Sequence, residues 1–441
     1  MVKMCIEDKY KKAYLELEKL LEEKRRHQTY YAFGYTSNLD LICDFDIEQF
    51  NDLLDKYIGD YKNLKLEIAG KIRTIEELLE TISYYCVHGI GGEVDIENVE
   101  LINQVFSYQT AIGGTGVQAA MALANIGCSS IVHLTDDSEE VCNILQNPYV
   151  YTVDHQKRLV HTDEVSSIQE QEVHFIIQFK KGDRIKLGNW KKIIPCSNRL
   201  ILTKVTVNEE VPFHENYFWW IERNAKFVHS NVLSSFNCIQ NRIVLEQRLN
   251  QVEKHIKRYR EQNPEGIVYF EDAHYHSEDI KKMCMDIVYS SVDIVSMNEE
   301  ELYYTSKMYG VDVDLNDVFS CICAMEMIRN KFAIKKGVVV HTKDYSMYVG
   351  SKMNANIENG LIYGNMVATA KAQAGTYGSL KSMEEVLKLD LSQKGIECYE
   401  KIQKSEYRER AILVPSKYID KPRYTIGLGD SFVGGFQLCF G

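Results

Sequence analysis

Proline is scarce in this chain, with six in 441 residues, and tryptophan scarcer, with three. With no low-complexity stretch either, long extended linkers and disordered tails are not expected. Apolar runs are short. None reaches the ~18 residues by which a membrane-spanning helix is recognised, so no membrane partner is expected. Positive charge is short as well: 51 Lys and Arg against 63 Asp and Glu leave a net charge of -12. No stretch is basic enough to make nucleic acid the expected partner. The twelve cysteines lack zinc-site spacing. Cys321 and Cys323 lie close together in a helical pattern with no second pair to match, so they read as reduced core thiols. Residues 1–27 are charged and amphipathic rather than built like a signal peptide. A soluble cytoplasmic protein is expected. Two phosphoryl-transfer signatures are also missing, the Gly-x-x-x-x-Gly-Lys-Ser/Thr loop and the His-Arg-Asp loop. Their absence argues against P-loop and protein-kinase chemistry.

What is present is globular. Apolar residues make up 45% and charged residues 26%, and the length suits one large α/β domain with a smaller one. The chain is organised around Tyr424-Thr425-Ile426-Gly427-Leu428-Gly429-Asp430, which runs on into Ser431-Phe432-Val433-Gly434-Gly435-Phe436. Gly427 and Gly429 permit a sharp turn, and the residues after them read as a helix. Amides at a helix N-terminus attract an anion, and Asp430 stands at that position. Two readings are open: an ordinary turn with an N-capping Asp, or a general base beside a phosphoryl cradle.

Residues 7–27 show helical periodicity, and Thr29–Tyr35 reads as a buried strand ending in Thr36-Ser37-Asn38-Leu39-Asp40. Polar residues past a strand's carboxyl end hold ligands in open α/β sheets, while Asx turns explain the same residues equally well. Residues 46–82 read as helical. A glycine cluster with Glu93 follows, and then Gly113-Gly114 before a helix of small residues. Residues 148–205 are rich in strand patterns, with Lys180-Lys181-Gly182-Asp183 as a hairpin turn. From Lys226 on, strands and helices alternate, which argues for a parallel sheet with helices on both faces. Acids recur at strand ends: Glu271 after Val268-Tyr269-Phe270, and Asn298 through Glu301 after Val295-Ser296-Met297. A solvated helix start is the alternative for the latter.

Taken together the motifs resemble the ribokinase superfamily, and within it the ADP-dependent glucokinase and phosphofructokinase family. The resemblance is carried by Val414-Pro415 through Lys421-Pro422 with Gly427-Leu428-Gly429-Asp430, by Asn38-x-Asp40 and by Gly113-Gly114. It is carried also by Asn298-x-x-Glu301, by His341-Thr342-Lys343 and by Asn198-Arg199-Leu200-Ile201. Three positions depart from the family pattern. Tyr269 stands where His-x-Glu is usual, Thr115 follows the di-glycine where an amide is common, and Ser431 takes the place of Thr.

The resemblance implies an α/β fold with a ribokinase-like doubly wound sheet (residues 1–40, 111–150 and 206–441). It also implies a smaller β-rich lid domain from insertions at 41–110 and 151–205, whose closure excludes water. It implies a sugar kinase that moves a phosphoryl group from ADP to a hexose hydroxyl with Mg2+ or another divalent cation. In that scheme Asp430 is the base, and the amides of Gly427, Leu428 and Gly429 meet developing charge. Asn38, Asp40, Glu93, Gly113 and Gly114 take the sugar. Arg199, His341 and Thr342 take the nucleotide, and Glu271, Asn298 and Glu301 serve the metal. Glucose is favoured as acceptor because Glu93 resembles the acid that accompanies glucose use. Fructose 6-phosphate as acceptor, ATP as donor, and a catalytically silent sugar or nucleotide sensor are the alternatives. A monomer or small homo-oligomer is expected.

Overall fold

The computed structural model describes residues 2–169, 171–275, 277–420 and 422–441. Lys421, part of the Lys-Pro motif, lies outside them. The chain divides into two compact units. The first comprises the residues up to Ser37, then Gly114–Ser167 and Glu209–Gly441; the second comprises Asn38–Gly113 and Ile168–Asn208.

A ten-stranded sheet forms the first unit. In spatial order its strands are Ala411–Pro415, Tyr345–Gly350, Gly337–His341, Ile294–Asn298, Ile267–Glu271, Val228–Leu233, Tyr30–Phe33, Ser130–Val132, Val150–Val153 and Leu159–His161. Pairing is parallel from Gly337–His341 through to Val150–Val153 and antiparallel at both edges. The central strands are continuous apolar runs such as Val338-Val339-Val340, buried throughout, as a parallel sheet covered on both faces requires. Helix Arg242–Gln262 shows how the covering works. Asn241 caps its first amides, and Leu245, Leu249, Val252, Ile256 and Tyr259 form its buried stripe, at the spacing of one helical face. The direction of chain progression reverses between Tyr30–Phe33 and Val228–Leu233. That point is where an open α/β sheet leaves room for a ligand at its carboxyl edge.

The second unit is built on a six-stranded mixed sheet: Lys71–Ile72, Gly92–Ile96, Asn198–Lys204, Val173–Phe179, Asn38–Cys43 and Tyr108–Gly113. A separate hairpin pairs Arg184–Leu187 with Trp190–Ile193.

Several expectations need correction. Asn38 and Asp40 lie in a strand, not in a loop past one. Residues 46–82 are not one helical stretch. Helix Ile47–Tyr57 ends near Gly59, which adopts φ +73°, and a new helix, Ile75–His88, starts at the Thr74 capping box. The Lys180–Asp183 turn does not join two paired strands, because Val173–Phe179 pairs with Asn198–Lys204 instead. Residues 151–167 belong to the first unit, because Val150–Val153 and Leu159–His161 extend its sheet. Among the described residues no helix is long and apolar enough to cross a membrane.

Candidate active site

The first unit carries the Gly-x-Gly-Asp segment. Gly427 adopts φ 63° and caps helix Leu428–Gln437, so Gly429 and Asp430 fall in its first turn. A side chain at Gly427 would collide with Gln118 Oε1 and come within 2.7 Å of Lys371 Nζ, so glycine is required on both conformational and steric grounds. The helix seats closely on its neighbours. At Gly434 a Cβ would run into the backbone of Ala119, and Ala119 belongs to helix Thr115–Ala124, which Gly114 opens with φ 99°.

Asp430 is half-buried, and its charge acts on both His341 and Glu271. His341 Nε2 lies 2.8 Å from Glu271 Oε1, and the imidazole edge is 3.1 Å from where a Gly429 Cβ would stand. Burial works against a charged His341, but Glu271 first, then Glu299 and Asp430, outweigh it and raise the imidazole above its usual range. Burial pushes Glu271 up, with His341 opposing. Tyr269, at the position where the resemblance leads one to expect histidine, is buried with its ring 5.6 Å from that of Phe436. The imidazole that reaches Glu271 comes from His341 instead. Thr342 shapes the turn after His341, its Oγ accepting from the amides of Asp344 and Tyr345.

Asn298 and Glu301 form a reciprocal capping box on helix Glu299–Met308: Glu301 N donates to Asn298 Oδ1 and Asn298 N to Glu301 Oε2. Desolvation, then Asp272 and Glu271, push the Glu301 carboxyl well above the usual range. Asp272 is itself buried and paired with Lys281 at 3.1 Å. Among the described residues no group of His, Cys, Asp and Glu is arranged to grip a metal directly. Glu271 and Asp272 both press on the Glu301 carboxyl, and carboxylates grouped beside a strand-end amide fit a hydrated divalent cation, since Mg2+ keeps much of its water and needs few protein ligands.

A cavity of about 540 Å³ opens beside the cradle, lined by Asn298, His341, Thr342, Thr369, Tyr418, Leu428 and Gly429 among others.

In the second unit, strand register assembles a polar row. Asp40 is opposite His174, and His174 is opposite Thr203, so these side chains share a sheet face. Asn38 Nδ2 donates to Asp40 Oδ1 at 2.7 Å, and both atoms occupy the space that a Gly113 side chain would need. Thr203 Oγ donates to Glu93 Oε1 at 2.5 Å. His174 lies 3.7 Å from Asp40 and 3.6 Å from Glu172. Burial lowers it, but Glu172, Asp40 and Glu93 together raise it above its usual value. Arg199 is exposed on the same face, opposite Gln178 and four residues before Thr203, or roughly 13 Å along the strand.

The conserved region of ADP-specific phosphofructokinases and glucokinases matches residues 30–435. This chain belongs to that family. The ADP-dependent glucose/glucosamine kinase of Pyrococcus furiosus is 24% identical over 440 residues, covering 92% of this chain and 94% of its own. The ADP-specific phosphofructokinase of the same organism is 22% identical over 459 residues, covering 96% and 98%. Among solved structures, a reconstructed last common ancestor of ADP-dependent phosphofructokinases from Methanosarcinales superposes with a TM-score of 0.78 at 21% identity, over 98% of this chain and 97% of that one. An ADP-dependent kinase in complex with fructose-6-phosphate and ADPβS gives 0.75 at 20% identity, with the same coverage.

As an ADP-dependent sugar kinase, the chain has three further polar residues beside these clusters that its local sequence pattern does not single out. His174 sits inside an apolar strand run, Gln118 stands among small and apolar residues of its helix, and Lys371 is one of several polar residues in its own. Register and tertiary packing bring them to the two polar clusters, and no local sequence signal marks them.

Proposed function

We propose that the chain transfers the terminal phosphoryl group of ADP to a hydroxyl of a neutral hexose, with glucose preferred. Asp430 takes the proton of the attacking hydroxyl. The new oxygen–phosphorus bond forms as the bond to the AMP leaving group breaks, in line with it. The amides after Gly427 meet charge on the transferred group. The observation that carries this reading is the placement of Asp430 in the first helical turn behind Gly427, with the His341–Glu271 pair against Gly429. The nucleotide is assigned to the neighbouring cavity with His341 and Thr342 on its wall, and Arg199 to its phosphates. A divalent cation held through water by Glu271, Asn298 and Glu301 would offset phosphate charge.

The sugar is assigned to Asn38, Asp40, Glu93, Gly113 and Gly114, to which geometry adds His174 and Thr203. Closely spaced acceptors and donors are what a ring of hydroxyls needs. A second reading, fructose 6-phosphate as acceptor, is favoured by one observation: Arg199 shares the sheet face of the sugar residues, where it would suit a terminal phosphate. The free cysteines support a cytoplasmic setting. The test is a matrix of ADP and ATP against glucose and fructose 6-phosphate, repeated with Asp430→Asn. ADP with glucose should give the highest kcat/KM, and Asp430→Asn should cut turnover by at least ~10²-fold with sugar affinity nearly intact. Retained turnover in that variant, or a preference for the sugar phosphate, rejects the corresponding part of the reading.

A further inference from the structure

Lys371 is buried in the last turn of helix Ile357–Ala374. Its Nζ donates to Gln118 Oε1 at 2.8 Å and to the Gly427 carbonyl at 3.3 Å. The faces of Tyr377 and Tyr424 lie 4.2 and 5.7 Å from it, so the ammonium is also held by two aromatic rings. An ammonium is costly to bury, and this one is held by an amide oxygen, the Gly427 carbonyl and the two rings.

The Gly427 carbonyl has two further donors, Ser431 N at 3.1 Å and Ser431 Oγ at 2.8 Å. A peptide unit is planar and trans, so its C=O and the following N–H point in opposite directions. Fixing the Gly427 oxygen toward Lys371 and Ser431 therefore fixes the Leu428 N–H the other way. Leu428 and Gly429 line the cavity assigned to the nucleotide.

We infer that Lys371 is a positioning residue for phosphoryl transfer, holding the Gly427–Leu428 peptide so that the Leu428 amide faces the transferred group. Ser431 is its partner in this task, and Gln118 holds the ammonium through its Oε1. The inference rests on the cradle reading proposed above. Losing one oxyanion donor outright costs ~10²–10³-fold in turnover, and misdirecting one costs less.

The test is a double-mutant cycle in the full-length chain with Lys371→Met and Ser431→Ala. Steady-state kinetics with ADP and the preferred sugar are read beside thermal unfolding. Lys371→Met should lower kcat on the order of 10- to 100-fold with KM for both substrates changed less than about threefold. Beside the Ser431 amide, which survives both changes, each side-chain donor alone holds the carbonyl only in part, so the double variant should lose more than the product of the single losses by over about threefold. A multiplicative pair within that factor, or a Lys371→Met variant with near-normal kcat, overturns the inference. If Lys371→Met does not fold, Lys371→Gln takes its place in the cycle under the same criterion. Gly427→Ala and Asp430→Asn separate the two readings. If both keep turnover, the cradle assignment fails; if both lose it while Lys371→Met does not, only the role of Lys371 falls.

Discussion

Replacing Gly427 with alanine adds one methyl group at the most constrained point of the cradle. Two costs can be worked from the geometry. A non-glycine residue in the left-handed region, here φ 63°, costs about 1–2 kcal/mol. The methyl would also overlap Gln118 Oε1, and moving that buried side chain gives up its hydrogen bond to the Lys371 ammonium, worth about 1.5–3 kcal/mol. The sum is about 2.5–5 kcal/mol. The turn can escape this strain by rotating its peptides, which spares global stability and misdirects the amides. Charged to the transition state, the sum corresponds to a kcat loss of roughly 70- to 5,000-fold. Gly429→Ala is the internal control. Gly429 is helical, and its added methyl would meet only the edge of His341 at 3.1 Å, so a loss of less than roughly tenfold is expected. The assay is kcat for both variants with saturating ADP, Mg2+ and sugar, beside their melting curves. Equal losses in the two variants, or a Gly427→Ala enzyme within fivefold of the parent, would refute the reasoning.

Glu301→Gln keeps an N3 side chain able to maintain the capping box, so stability should hold while the Mg2+ concentration for half-maximal rate rises; an unchanged Mg2+ curve assigns Glu301 to capping alone. Glu93→Ala removes the acceptor of the Thr203 hydroxyl and should lower kcat/KM for glucose more than for fructose 6-phosphate, and an equal effect on both would remove Glu93 from acceptor choice. His174 has its folded pKa raised above the unfolded value near 6.5, burial opposing and Glu172, Asp40 and Glu93 prevailing. Its contribution to stability is therefore complete below about pH 6.5 and lost as pH climbs through the raised folded value. Melting temperatures from pH 6 to 9 should fall more steeply in the parent than in His174→Asn, and parallel slopes would show that His174 gains no charge partner on folding.

Much of the first unit was legible because parallel strands announce themselves. Val338-Val339-Val340 and Val295-Ser296-Met297 are short apolar runs followed by polar strand ends, and periodicity locates them without help. The Gly-x-Gly-Asp turn was equally plain, since two glycines one residue apart free the backbone for a sharp turn. The second unit was harder to read. Asn38 and Asp40 alternate with Leu39 and Leu41, yet all four are buried, so polar character suggested a loop where the chain continues as a strand. In sequence the Asn298–Glu301 pair fits a metal site and a helix start alike. The structure gives it the capping role outright and leaves the metal role to experiment. Lys371, Gln118 and His174 were invisible because the contacts that mark them, Lys371 with Gln118 and His174 with Asp40, join residues far apart in sequence.

The strand order also bears on how the protein emerges from a ribosome. Tyr30–Phe33 is made early, yet it pairs with Val228–Leu233 on one side and Ser130–Val132 on the other. Roughly 200 residues separate it from the first of these partners, which at ~5–20 residues per second means ~10–40 s of synthesis before that edge can be covered. During that interval an apolar Tyr-Tyr-Ala-Phe segment is exposed on the nascent chain. The second unit can finish earlier, because its last strand ends at Lys204. Synthesis thus imposes an order in which the inserted unit closes first and the centre of the large sheet waits, and chaperone dependence should concentrate on that waiting strand.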